Sequence, residues 1–301
     1  MGVSNGQETT LPMDNLRGAA LMTLAMLGFA IEDMFVKLLA VRFPTWQIIG
    51  ILGLGGALAF AFMVRLRGEA LWTRAYLAPA VLLRNFGELV GTTGFVTALA
   101  LIELSTASAI LQATPLVVTM GAALFLGEPV GWRRWSAILV GFAGVLLVIR
   151  PGTTGFDLSA LFALQGVLGL AIRDLATRRV RVQTSSVQLS FLAFLTLLPA
   201  SALLALFEGT PLVWPEAADA RNIAVMLGLA VTSYYAIVAA MRVGEVSYVT
   251  PFRYSRIVFA LMIGFAAFGE RPDTLMLVGC VLIVGSGLFT LWRERKIRPA
   301  A

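Results

Sequence analysis

Thr250-Pro251-Phe252-Arg253-Tyr254-Ser255-Arg256 stands inside a run that is otherwise apolar from Val246 to Phe268. Arginines three residues apart share one face of a helix. Their guanidiniums offer fixed N–H donors suited to a carboxylate or to electronegative atoms on a small molecule. The run is long enough to cross a bilayer, where a charged side chain near the midplane costs roughly 2.5–3.5 kcal/mol. Two such charges, one turn after a helix-breaking proline, need a polar interior to face. The expected setting is a helix that lines a central polar cavity.

Other charges share that depth. Glu32, Asp33 and Lys37, then Arg84 and Glu88, then Arg173 and Asp174 all fall within apolar runs, giving with Arg253 and Arg256 five cations and four anions. Uncompensated, the cations alone would cost on the order of 15 kcal/mol at about 3 each, which rivals a whole fold's stability of roughly 5–15 kcal/mol. They must be paired, hydrated or both. Asp33 with Lys37, and Arg84 with Glu88, have the i,i+4 spacing that closes a salt bridge on one helix. Arg173 and Asp174 lie near a helix end, where snorkelling or topology setting explains them. Arg253 and Arg256 have no acid on their own helix face, so their partners are Glu32, Asp33, Glu88 or a bound solute. Gln112, Thr114 and Pro115 occupy the matching depth of another run, and polar groups beside a proline suit a cavity wall. Tyr254, Phe252, Tyr234 and Tyr235 are candidate aromatic walls, although aromatics in membrane helices also serve packing and interface anchoring.

The elements that must position these residues are membrane helices. The chain is 58 % hydrophobic and only 13 % charged, against about half and a quarter in a soluble domain. Apolar runs of spanning length occupy about 17–40, 46–65, 78–100, 104–125, 135–150, 159–177, 186–207, 222–241, 246–268 and 274–292. The first is too long for a signal peptide and follows a polar stretch carrying Glu8 and Asp14, so it is expected to remain as a helix. With the N-terminus inside, the inner connectors carry fourteen Lys and Arg residues and the outer ones only Arg42, Arg150, Arg221 and Arg271. That asymmetry places both termini in the cytoplasm. It also accounts for the net charge of +6 without a nucleic-acid-binding face.

The order of the runs repeats. Glu103-Leu104-Ser105, a span and then Gly127-Glu128-Pro129 match Glu245-Val246-Ser247, a span and then Gly269-Glu270-Arg271-Pro272. Leu139-Val140-Gly141 and Leu277-Val278-Gly279 follow in the next spans. Gly-Glu-Pro is also ordinary turn chemistry, but both matches fall at the same place in the span order. The expected fold is an all-α membrane protein of ten transmembrane helices in two inverted five-helix repeats. Its expected divisions are a tail at 1–16, repeats at 17–150 and 151–293, and a tail at 294–301. An odd number of spans per repeat inverts the second half and puts a binding site at the midplane interface. Gly50, Gly53, Gly55 and Gly56, Gly141 and Gly144, and Gly285 and Gly287 suit close helix packing.

This pattern resembles the drug/metabolite transporter superfamily, EamA branch, from about Arg17 to Arg293. Glu32-Asp33-Met34-Phe35-Val36-Lys37-Leu38-Leu39, with Gln47-Ile48-Ile49, is similar to the first-helix region of bacterial riboflavin uptake carriers. Pro251-Phe252-Arg253-Tyr254 is similar to a string in S-adenosylmethionine uptake carriers of the same branch. The resemblance implies a multi-pass carrier of the bacterial inner membrane that works by alternating access on a small polar metabolite. Riboflavin is the first expectation, its ring suiting aromatic walls and its polar edges suiting arginine donors. S-adenosylmethionine or another amino-acid-like solute is the second, with import and export both open. The expected cavity set is Arg253, Arg256, Tyr254, Arg84, Glu88, Gln112, Glu32, Asp33 and Lys37.

Other classes fare worse. The chain has no histidine and one cysteine, Cys280, so a Ser–His site, a His–Glu metal centre and an intrachain disulfide are excluded. Glu32-Asp33 lacks the spaced acids that hold magnesium for prenyl transfer, and no nucleotide-binding loop marks an ATP-driven pump. No catalytic residue, metal or cofactor is expected. A non-transporting receptor or scaffold would tolerate neutralisation of the central charges, whereas a carrier would insert normally and lose transport.

Overall fold

A computed structural model of the chain describes residues 12–152, 157–180 and 184–297. The tail residues before 12, with Glu8, and Arg181 and Arg298 lie outside the described residues. The described residues are helical throughout, without strands: α1 (Pro12–Ala40), α2 (Thr45–Leu66), α3 (Pro79–Leu101), α4 (Leu104–Leu111), α5 (Thr114–Phe125) and α6 (Trp132–Ile149) form the first half. The second comprises α7 (Ala160–Thr177), α8 (Ser186–Glu208), α9 (Ala217–Val243), α10 (Val246–Val249), α11 (Ser255–Phe268) and α12 (Thr274–Ile297). Single 3₁₀ turns cover Arg74–Leu77 and Thr250–Tyr254.

Each half crosses five times, because α4 and α5 together make one crossing and α10, the second 3₁₀ turn and α11 make another. Nine of the ten crossings are long and apolar enough to span a membrane. The tenth, α3, has 23 residues, about 34 Å of helix, and so has the length. Arg84, Asn85, Glu88 and Thr93 lower its hydropathy, and all four are buried inside the protein. Outward faces carry exposed Leu58, Phe62, Phe125, Leu139, Phe265 and Val281, the inverse of a soluble surface and the arrangement a lipid solvent favours.

The packing follows the repeat. In one half, α1 lies along α9, the third crossing of the other half, and α7 lies along α3 in the equivalent pairing. The second crossings α2 and α8, the fourth crossings at α4 and α11, and the last, α6 and α12, pair with their own mates. This is the contact pattern of two five-helix repeats related by a pseudo-twofold axis. The axis places the broken fourth crossings beside each other at the centre.

Close approach depends on small residues at two crossings. A Cβ on Gly169 of α7 would lie 2.2 Å from the backbone nitrogen of Gly91 on α3. Gly144 and Gly279 meet likewise, each opposing the other's carbonyl oxygen at 2.7 Å from a built Cβ. Gly285, expected to pack, faces open space.

The repeated Gly-Glu turns have a structural cause. Gly127 and Gly269 take φ values of +68° and +66°, the left-handed conformation that ends a helix cheaply only at glycine. The next backbone N–H closes each end: Glu128 N donates to Ala122 O at 3.2 Å and Glu270 N to Gly264 O at 3.0 Å. Glu270 does more. Its carboxylate accepts from Leu104 N at 2.7 Å, from Ser105 N at 2.9 Å and from Ser105 Oγ at 2.5 Å. The turn of the second repeat thereby caps α4 of the first, satisfying N–H groups that a helix start leaves open.

Candidate functional site

The two broken crossings carry the site. Pro115 near the start of α5 and Pro251 in the Thr250–Tyr254 turn cannot donate a backbone hydrogen bond, and in both places the helix interrupts: at Gln112–Ala113 and at Thr250–Tyr254. The sequence reading of 246–268 as one continuous helix is therefore corrected to a short helix, a 3₁₀ turn and a second helix. Gln112 Nε2 donates to the Arg253 carbonyl, inside that turn, at 3.1 Å. One repeat's break thus supports the other's.

Around these breaks lies a cavity of about 420 Å³, within the range of roughly 300–1,000 Å³ that holds small molecules. α1 contributes Glu32 and Asp33, α3 contributes Arg84 and Glu88, and α7 contributes Arg173 and Asp174. Gln112, Arg253, Tyr254 and Arg256 come from the broken crossings, and Phe29, Phe95, Phe194 and Tyr234 supply aromatic walls. Toward one end the lining reaches Thr177 and Arg242, both exposed. Toward the other it ends on buried Leu52, Leu99 and Leu111. Beyond that apolar end, Arg42 bonds Glu216 at 2.6 Å and Asp219 at 2.7 Å, tying the α1–α2 connector to the start of α9. Arg150 and Asp273 form a second ion pair at the same end. The cavity is accessible from one end and sealed at the other.

The buried charges are mostly paired. Arg256 Nη2 donates to both Asp33 oxygens at 2.8 and 2.7 Å, and its Nε adds a third bond at 3.2 Å. The same guanidinium lies 5.1 Å from the Phe29 ring and 5.2 Å from the Phe95 ring, within cation–π range. On the opposite wall Arg173 bridges Glu88 at 3.3 Å and Asp174 at 2.8 Å. Arg84 stands 3.7 Å from Glu88 and donates to Tyr234 Oη at 3.1 Å. Arg253 reaches Asp174 only at 3.8 Å, beyond hydrogen-bond distance. Glu32 makes no hydrogen bond or ion pair with the described residues and faces the cavity half-buried.

Eight of the nine residues expected at the cavity line it. Lys37 does not, and its expected pair with Asp33 does not form. Its Nζ donates to the carbonyls of Ile102 at 2.5 Å and Leu99 at 3.4 Å and lies 5.6 Å from the Phe268 ring. The physical reason is the end of α3, whose open carbonyls attract a cation and leave Asp33 to Arg256. Phe252 and Tyr235 are exposed outside the cavity. Arg173 and Asp174, read from sequence as end-of-helix charges, prove central. The tight α3–α7 crossing brings the last turns of α7 against Glu88. Their adjacency to an intramembrane acid on another helix has no signature along the chain.

The EamA-like transporter family model matches this chain twice, over residues 16–150 and 157–292. The chain belongs to the EamA-like transporter family. It is 27 % identical to a riboflavin transporter of Rhizobium johnstonii, covering 97 % of this chain and 98 % of that one. A riboflavin transporter of Vibrio cholerae is 28 % identical over 94 % and 96 % of the two chains. An S-adenosylmethionine uptake transporter of Rickettsia prowazekii is 23 % identical over 93 % and 94 %. A crystal structure at 20 % identity superposes with a TM-score of 0.60 over 93 % of this chain and 98 % of that one, which bears on the fold alone. An EamA-like protein with this architecture is a multi-pass membrane transporter of the drug/metabolite superfamily.

Proposed function

We propose that this EamA-like protein is a secondary carrier that moves a small polar, heterocyclic metabolite across the bacterial inner membrane by alternating access. The observation that carries the reading is the central cavity between the two repeats, open at one end and closed at the other by apolar residues and inter-repeat ion pairs. The charge asymmetry of the connectors supports cytoplasmic termini, so the open end faces the cytoplasm. Residues 17–150 and 151–293 act as the two rocking repeats, flanked by tails at 1–16 and 294–301. Arg253, Arg256, Tyr254, Arg84, Glu88, Gln112, Glu32 and Asp33 form the binding cavity, while Lys37 secures the end of α3.

Riboflavin is the specific substrate proposed. Similarity to two riboflavin transporters over nearly the whole chain supports it, as do the aromatic walls at Phe29, Phe95, Phe194 and Tyr234. S-adenosylmethionine is the second reading, favoured by the unpaired carboxylate of Glu32, which suits a cationic solute. The test is growth of a riboflavin-auxotrophic bacterium lacking its own carrier. Wild-type protein rescues growth at low riboflavin, and Arg253→Ala at equal membrane expression does not. Absence of rescue by well-expressed wild type removes riboflavin and moves the search to labelled S-adenosylmethionine.

A further inference from the structure

Most cavity charges are held by close partners, whereas Glu32 has none among the described residues and Arg253 has only a 3.8 Å ion pair to Asp174. On the α1 side, Glu32 and Asp33 face the single guanidinium of Arg256, which already makes three hydrogen bonds to Asp33 and is flanked by two rings. On the α3–α7 side, Arg84, Arg173 and Arg253 face the two carboxylates of Glu88 and Asp174. Counted as ionised, one wall carries an excess negative charge and the other an excess positive charge. The excess has a location in each case. Glu32 is the cavity acid without a hydrogen bond or ion pair among the described residues. Apart from Arg242 at the exposed mouth, Arg253 is the most open of the cavity arginines: its side chain is 29 % exposed, against 5 % for Arg84, 16 % for Arg173 and 15 % for Arg256. Its backbone carbonyl is held by Gln112, so the base of the side chain is fixed while its tip is available.

We infer that Glu32 and Arg253 are the two residues that read the solute, and that the solute is dipolar. It presents hydrogen-bond donors or a cationic group to Glu32 and an electronegative or anionic group to Arg253. Arg256, Arg173 and Arg84 hold the walls in shape and do not select. A carboxylate only accepts hydrogen bonds and a guanidinium only donates them, so the pair fixes the orientation of a flat ring lying between the walls. This rests on the carrier reading and assigns the ends of its site. In riboflavin the ribityl hydroxyls would meet Glu32 and the dione edge Arg253. In S-adenosylmethionine the ammonium and carboxylate would do so.

The test compares binding of whole and truncated probes to the full-length protein in nanodiscs, with melting temperature measured alongside. Lumichrome keeps the dione edge of riboflavin and lacks the ribityl chain. Methylthioadenosine lacks the amino-acid portion of S-adenosylmethionine. If riboflavin binds, Glu32→Gln weakens it by about tenfold but leaves lumichrome within about twofold of wild type, and Arg253→Gln weakens both. If S-adenosylmethionine binds, both substitutions weaken it by about tenfold and neither changes methylthioadenosine. Melting temperatures stay at the wild-type value. Equal losses on whole and truncated riboflavin in Glu32→Gln, or unchanged binding in both variants, would overturn the assignment while leaving the carrier reading in place. Failure of folded wild type to bind any of the four probes would overturn the assignment together with the substrate reading beneath it.

Discussion

Replacing Arg256 with methionine removes the guanidinium and keeps an apolar stem between the rings of Phe29 and Phe95. Asp33, 4 % exposed in the wild-type fold, then loses all three of the hydrogen bonds that Arg256 supplies. Removing one partner of a buried pair costs about 3–5 kcal/mol, because a desolvated charge is left behind. The Arg256 side chain is 15 % exposed toward the cavity, where water screens part of the orphaned carboxylate, so the expected cost is the lower figure, about 3 kcal/mol. At roughly 2–4 °C per kcal/mol for a chain of this size, the melting temperature in detergent falls by about 6–12 °C. Adding Asp33→Leu removes the orphan, and the double variant recovers most of the loss. The assay is a thermal melt of the purified single and double variants, followed by size exclusion. An Arg256→Met protein that melts with wild type would refute the reasoning. So would a double variant whose loss equals the sum of the singles.

Three further outcomes follow from the same physics. Glu270→Ala leaves the buried N–H groups of Leu104 and Ser105 without an acceptor, at about 1–3 kcal/mol each; Glu270→Gln, which keeps one acceptor oxygen, loses about half as much in the same melt. Gly169→Ala forces a methyl to within 2.2 Å of the Gly91 backbone, so α3 and α7 separate and the yield of monodisperse protein collapses, while Gly285→Ala, facing open space, keeps it. At the sealed end, the Arg150 hydrogen bond holds the Asp273 carboxyl below its ordinary value of 3.8. A depressed carboxyl stabilises the fold above its unfolded value and loses that contribution as pH falls through the folded one. Melting of wild type and Asp273→Asn therefore differs at neutral pH and converges in strong acid. A gap that persists there would contradict the assignment.

Much of this fold can be read along the chain because its determinants are local. Apolar length marks the crossings, and Gly127-Glu128 and Gly269-Glu270 mark the repeat through a left-handed glycine. Intramembrane charge marks the cavity because lipid tolerates it nowhere else. What stays hidden is which charge meets which. The i,i+4 spacing of Asp33 and Lys37 offers a local pair, but the carbonyl end of α3 takes Lys37 and α11 delivers Arg256 to Asp33. Arg173 and Asp174 stand one turn from the end of α7 and look peripheral until glycine contacts press that turn against Glu88. The Glu270 cap was legible only as a turn, since its partners Leu104 and Ser105 lie more than half the chain away.

The proposed carrier mechanism requires a cavity that opens in turn to the two sides of the membrane. Its direct test uses the single cysteine of the chain, buried Cys280: in a Cys280→Ala background, Thr92 on the cavity wall is replaced by cysteine and exposed to a membrane-impermeant thiol reagent from one side at a time. Labelling is expected from both sides, faster from the side bearing the α9 C-terminus, with riboflavin or S-adenosylmethionine changing the ratio of the two rates. Labelling from one side only, unaltered by either solute, would contradict alternating access.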